Sequence, residues 1–146
     1  MNLDMEQAAR DLASLGLRGP DLYLAELIPA VEMAWADGEI QPDERAMLEC
    51  YCESLIDALN RDAGANVFTL RRAFNVLELL LRRRLRPDER YRALRGLAVL
   101  AGTGPSGVER RRRMLEWAEA VGAIAGRPVW DTRELFWLQA LKRHLG

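Results

Sequence analysis

Apolar residues recur three and four positions apart along nearly the whole chain, and no stretch alternates apolar and polar residues with the β-branched enrichment that strands favour. The pattern predicts an all-α protein, a compact single-domain bundle of about seven helices. The first helix covers residues 4–15 and stops at Gly16. The second covers 20–36, carries Leu24, Leu27, Ile28, Val31 and Trp35 on one stripe, and has to bend at Pro29, which lacks an amide hydrogen. The third opens at Pro42, where that missing hydrogen costs nothing. It turns Leu48, Tyr51, Cys52, Leu55, Ile56 and Leu59 inward before stopping near Gly64.

The fourth helix, residues 67–85, is apolar around much of its circumference through Phe68, Leu70, Phe74, Val76, Leu77, Leu79, Leu80 and Leu81, which predicts the central place in the bundle. The fifth runs from Pro87 and ends by Gly102; the sixth covers 107–125 and presents Leu115, Trp117, Ala118, Val121 and Ile124. The last opens with Asp131 as N-cap and Glu134 three residues on, a capping-box arrangement, and buries Leu135, Leu138 and Leu141. Connections are short, so sequential helices are expected to pack as antiparallel neighbours. No linker or low-complexity tract interrupts them, and residues 1–146 read as one domain, long enough to bury about 68% of the surface of the unfolded chain.

Charge narrows the partners. A formal net charge of −1 gives no bulk attraction to nucleic acid or to an anionic membrane, and no aromatic strip lies in a basic face, so another protein is the expected partner rather than a nucleic acid. No uncharged apolar stretch approaches the roughly 18 residues that cross a bilayer, and Met1 to Glu6 lack the positive head and apolar run of an export signal. The expectation is a cytoplasmic protein without a transmembrane segment. Cys50 and Cys52 point about 200° apart on one helix and read as free thiols in a reducing compartment.

The pointed chemistry is acidic. Asp37, Glu39, Asp43 and Glu44 place four carboxylates within eight residues around Gly38 and the helix start at Pro42. Two such charges ~5 Å apart repel by about 3 kcal/mol at an effective dielectric of 20, so water, arginine, helix amides or a metal ion must offset them. On one account Asp37 and Gly38 end a helix, Asp43 and Glu44 start the next, and Glu39 is solvated. On the other, all four converge on a hard divalent cation, calcium or magnesium, since no histidine or thiolate pair stands nearby for zinc. The spacing is not that of an EF-hand: glycine is second in the loop, and Leu48 stands where the bidentate glutamate would be. Affinity for calcium without a rigid cage would be on the order of 10⁻⁴ to 10⁻³ M. Pro42-Asp43-Glu44-Arg45 recurs as Pro87-Asp88-Glu89-Arg90 behind Arg82-Arg83-Arg84, so the second copy has no acidic turn upstream and serves as an internal control.

Trp35, Ala36-Asp37-Gly38 and, after five intervening residues, Glu44, followed by a long amphipathic helix, resemble the signature of the tellurite-resistance TerB-like domains. The resemblance implies an all-helical domain of about this length, built from two related helix-turn-helix halves, each with an Ala-Asp-Gly-x₅-Glu motif proposed to bind metal. It also implies a link to tellurite resistance and stress response. The first motif is intact, with Asp37 and Glu44 on the acidic positions. The second, Ala101 to Glu109, keeps its alanine and its glutamate but has Gly102 in place of the aspartate, leaving Glu109 alone to act there.

Other features read more plainly. Arg110 to Arg113 form a collar around a helix start, paired as Glu109 with Arg113 and Arg112 with Glu116, or else open to a phosphate-bearing partner. Arg82 to Arg84 and Arg86 lie at a helix carboxyl end, where cations are favoured. His144 reads as a surface residue near the end, and Ser14, Ser54 and Ser106 have no evident base, so catalysis is not expected. Trp35 and Trp117 read as core, and Trp130 with Val129 as a surface contact. The expected function is a non-catalytic TerB-like domain that couples a divalent cation to contact with another protein. A helical scaffold or adaptor whose acidic turn binds no metal is the alternative.

Overall fold

The computed structural model describes residues 3–36, 38–102, 105–124 and 132–145. They form α1 (Leu3–Ala13), a 3₁₀ helix (Gly19–Leu27), α2 (Ile28–Trp35), α3 (Pro42–Ala63), α4 (Leu70–Leu81), α5 (Pro87–Ala101), α6 (Pro105–Ile124) and α7 (Thr132–Leu145). Among the described residues there is no strand, and no helix is long and apolar enough to cross a membrane. The fold is an all-α bundle, as the periodicity predicts.

The second predicted helix divides in two. Pro29 sits in the first turn of α2, where amides have no intrahelical partner, so its missing hydrogen is harmless there. The anticipated bend is thus a change of helix type between Leu27 and Ile28.

The central helix is α2, not the fourth. Every residue from Ile28 to Ala34 is buried, and α2 touches α3, α4, α6 and α7. The fourth helix begins later and stops earlier than predicted, with the Thr69 hydroxyl accepting from the Arg72 amide at 3.2 Å as its cap. It buries Ala73, Val76, Leu77 and Leu80, while Arg71, Arg72, Asn75 and Glu78 are exposed. Those polar residues recur at helical spacing on one face, so α4 is amphipathic and peripheral despite its apolar composition.

In α3 the predicted stripe is recovered residue for residue, and Gly64, at φ 71°, closes the helix in the left-handed conformation. Packing departs from simple sequential pairing. The most extensive contacts are α1 with α5 and α2 with α6, although α3 with α4 and α6 with α7 do pair as chain neighbours. The end of the 3₁₀ segment, Leu24 to Leu27, and the short α2 thread the middle of the bundle, so the flanking helices close over them from distant parts of the chain.

Candidate functional site

Between α2 and α3 the chain turns at Gly38, exposed and at φ 88°, whose amide donates to the Trp35 carbonyl at 2.8 Å. That left-handed conformation suits glycine. Asp37 lies outside the described residues. Glu39 and Asp43 are exposed, whereas Glu44 is only 4% exposed. Its Oε1 accepts from the Gln41 amide at 2.9 Å, closing the first turn of α3.

The start of α5 repeats this contact. Glu89 Oε1 accepts from the Arg86 amide at 2.9 Å, and both Glu89 oxygens accept from Arg83 at 2.8 Å. Those hydrogen bonds from Arg83, and then that from the Arg86 amide, hold the Glu89 carboxyl down at about 2. The repeated Pro-Asp-Glu-Arg phrase is therefore a helix-start device at both places. Among the described residues, no three or more histidine, cysteine, aspartate or glutamate side chains gather where a metal ion could sit, so Glu39, Asp43 and Glu44 share no common focus. In the second motif, Gly102 has φ 76° and Glu109 is exposed, 3.5 Å from Arg112.

Sequence reasoning missed a cluster of charges inside the bundle. Glu26 and Glu32 sit in otherwise apolar segments, and that interruption of the pattern was the signal that could have found them. Glu26, in the 3₁₀ helix, takes both its oxygens to Arg113 Nη2 of α6, at 2.9 and 3.0 Å. Burial raises its carboxyl above the usual range, and Arg113 opposes the shift. The Glu26 carbonyl accepts from the Tyr51 hydroxyl at 3.0 Å, and the Tyr51 ring stacks on Trp117 at 4.8 Å.

Glu32, 2% exposed, lies in the middle of α2. Its Oε2 accepts from the Leu85 amide at 3.3 Å, and its Oε1 stands 3.8 Å from Arg90 Nε of α5. Burial outweighs both and pushes this carboxyl up to about 7. The Arg90 guanidinium also lies 5.7 Å from the centre of the Trp137 ring, and Trp137 Nε1 donates to the Pro29 carbonyl at 3.0 Å. Glu32, Arg90 and Trp137 thereby join α2, α5 and α7.

The arginine collar separates by function. Arg113 turns inward to Glu26, Arg111 Nη2 donates to the Ala98 carbonyl at 2.8 Å, Arg112 meets Glu109, and Arg110 lines a groove. The expected Glu109–Arg113 pair is replaced because buried Glu26 offers a better desolvated partner than a surface acid. His144 is half-buried rather than free, its ring edge-on to Tyr91 at 5.5 Å. Cys50 is exposed and Cys52 buried, both unbridged, and burial pushes the Cys52 thiol up to about 12. Val129, Trp130 and Asp131 lie outside the described residues, as do the side chains of Glu134, Leu135 and Leu138.

No family model matches this chain, and neither a curated protein nor a solved structure matches it. The arrangement itself shows what its charges do: Glu26, Glu32 and Glu89 each face an arginine and tie separate segments together.

Proposed function

We propose that this chain is a non-catalytic helical interaction domain, TerB-like in its first acidic motif, that docks on another protein in the cytoplasm. Tellurite resistance and stress response are the settings the resemblance suggests. The observation that carries the reading is Tyr91 of α5, 55% exposed yet held between His144 of α7 and the Arg95 guanidinium, which lies 5.8 Å from the ring centre. A tyrosine braced in this way has already lost rotamer freedom, and tyrosine and arginine are the residues that most often anchor interfaces. The pairing of buried acids with arginines supports a structural rather than a catalytic use of those groups. Copurification from the native host with wild type and Tyr91→Ser tests the proposal. A partner held by wild type and lost by the variant supports it, and equal recovery refutes it.

A divalent cation at the α2–α3 bend is a second reading. It is favoured by the sequence of the bend, where Asp37 and Glu39 are acids that have no counterpart ahead of α5. Oxygen donors of this kind would take calcium or magnesium. At about 10 mM ion, a site of the expected affinity would stabilise the fold by roughly 1.4–2.7 kcal/mol, a few degrees in a thermal melt. Melts in chelator, calcium, magnesium and matched sodium chloride, alongside Asp37→Ala, decide the matter. An ion-specific rise abolished by the substitution supports the site. Superimposable melts leave a scaffold or adaptor with no metal.

A further inference from the structure

We propose that the seam between α5 and α7 is a latch worked by one proton, closed while Glu32 is a neutral carboxylic acid and opened when it ionises.

Glu32 lies in the middle of α2, 2% exposed, with its Oε2 accepting from the Leu85 amide at 3.3 Å. Its Oε1 stands 3.8 Å from Arg90 Nε, and both of these atoms are buried without a hydrogen-bond partner. An ionised carboxylate beside a guanidinium closes to about 2.7–2.9 Å, so this gap is not the geometry of a formed ion pair. A carboxylic acid with its hydrogen on Oε1 meets the Arg90 N–H donor to donor, which keeps the two apart, while Oε2 still accepts from Leu85. Burial, the largest influence on this carboxyl, raises it to about 7. The charged groups that face it are Arg83 and Arg84 in the link ahead of α5, and Glu89 and Arg90 in α5 itself. Glu89 adds to the rise, and the Leu85 amide and the arginines fall short of cancelling it. Among the described residues no cation other than Arg90 lies within ion-pair distance of Glu32.

The same guanidinium leans on α7. Arg90 lies 5.7 Å from the centre of the Trp137 ring, near the ~6 Å limit of a cation–ring contact. Trp137 Nε1 donates to the Pro29 carbonyl, one turn before Glu32, so α7 rests on α2 beside the buried acid. By contrast, α5 is also fastened to α1, so closely that a β-carbon at Gly96 would lie 3.4 Å from the Ala8 carbonyl oxygen. Of the two helices, α7 is thus the one that parts. Ionisation strands a charge in a dry site; lifting α7 lets water reach it, and the proton passes to solvent. Tyr91 and His144 meet across the same seam, so opening also dismantles the brace around Tyr91, a consequence that alone rests on the docking proposed above.

Hydrogen exchange of the intact protein tests the latch without a partner, so latch and docking can fail separately. It is followed from pH 5 to pH 8 at several low urea concentrations and corrected for the intrinsic pH dependence of exchange. The Trp137 indole and the amides of 137–145 should exchange through an opening that barely responds to urea, whereas buried amides of α3 should show the full urea slope of unfolding. With an ordinary value of 4.5 in the open state and about 7 in the closed, the opening should become on the order of 70-fold more populated from pH 5 to pH 8, most of the rise falling below pH 7. Glu32→Gln, a neutral stand-in for the acid, should keep α7 closed across the range. His144→Gln is the control, since histidine is the ordinary source of a response at these pH values, and it should leave the rise intact. The latch is overturned by α7 exchange with the urea slope of α3, by an opening that ignores pH, by a rise that persists in Glu32→Gln, or by one that His144→Gln abolishes. The first two outcomes are read from the wild-type chain, so they decide even where a variant does not fold.

Discussion

Arg113 on α6 donates to both carboxylate oxygens of Glu26, at 2.9 and 3.0 Å, across 87 positions of sequence. The pair pins α6 to the 3₁₀ helix at the point where that segment enters the core. Arg113→Leu strands a buried carboxylate and should lower stability by about 3–5 kcal/mol. Removing both partners together, as Glu26→Leu with Arg113→Leu, should restore most of that loss. A double-mutant cycle from urea denaturation measures the coupling, and additive losses would show that the pair does not act as a unit.

Glu32 ties stability to pH. Its carboxyl titrates at about 7 in the folded chain against 4.5 as its ordinary value, so between those values the native state keeps a proton that the unfolded state has released. Stability therefore falls as pH rises through this window, by on the order of 3 kcal/mol from this residue alone. Glu89 acts in the opposite sense: held at about 2, its contribution is present above 4.5 and is lost as pH falls toward 2. Stability of Glu32→Gln relative to wild type should thus improve steadily from pH 4.5 to pH 7 and change little at lower pH. A pH-independent difference in urea melts would contradict the assignment.

The matched helix starts predict matched defects. Glu44→Ala removes the acceptor for the Gln41 amide and should destabilise by about 1 kcal/mol. Glu89→Ala should lose more, because its oxygens also receive Arg83. Denaturation of the two variants side by side gives the ranking, and amide exchange should show the first turn of α3 fraying only in the first.

Two glycines separate backbone strain from collision. Gly64 has φ 71° and nothing within 4 Å of the place a β-carbon would take, so Gly64→Ala should cost only the left-handed penalty of about 1 kcal/mol. Gly107 is buried in α6, and a β-carbon there would run into the Gly102 carbonyl. Gly107→Ala should therefore force the α5–α6 corner apart and cost more than about 2 kcal/mol, again read from denaturation.

Much of this architecture was legible in local pattern. Pro42 and Pro87 mark helix starts because a ring nitrogen is harmless where amides are free, and the inward stripe of α3 follows from 3.6-residue spacing alone. The contact made by Glu44 was foreseeable for the same reason. The central place of α2 was not: its eight residues are too few for periodicity to tell a helix buried on every side from one buried on a single face. Nor was the partner of Arg113, since four consecutive arginines look alike until a fold places one of them against Glu26.

The amino-acid order by itself determined the helical character of the chain, the helix starts at Pro42 and Pro87 and the stop at Gly64, because backbone hydrogen bonds, proline geometry and side-chain spacing act within a few residues. Tertiary structure alone decided which charges entered the core and which partners they met. Glu26 and Arg113 attract one another strongly only after packing has removed the water between them, whereas at Glu32 the same burial outweighs Arg90 and raises the carboxyl, and both outcomes depend on helices drawn together from distant parts of the chain.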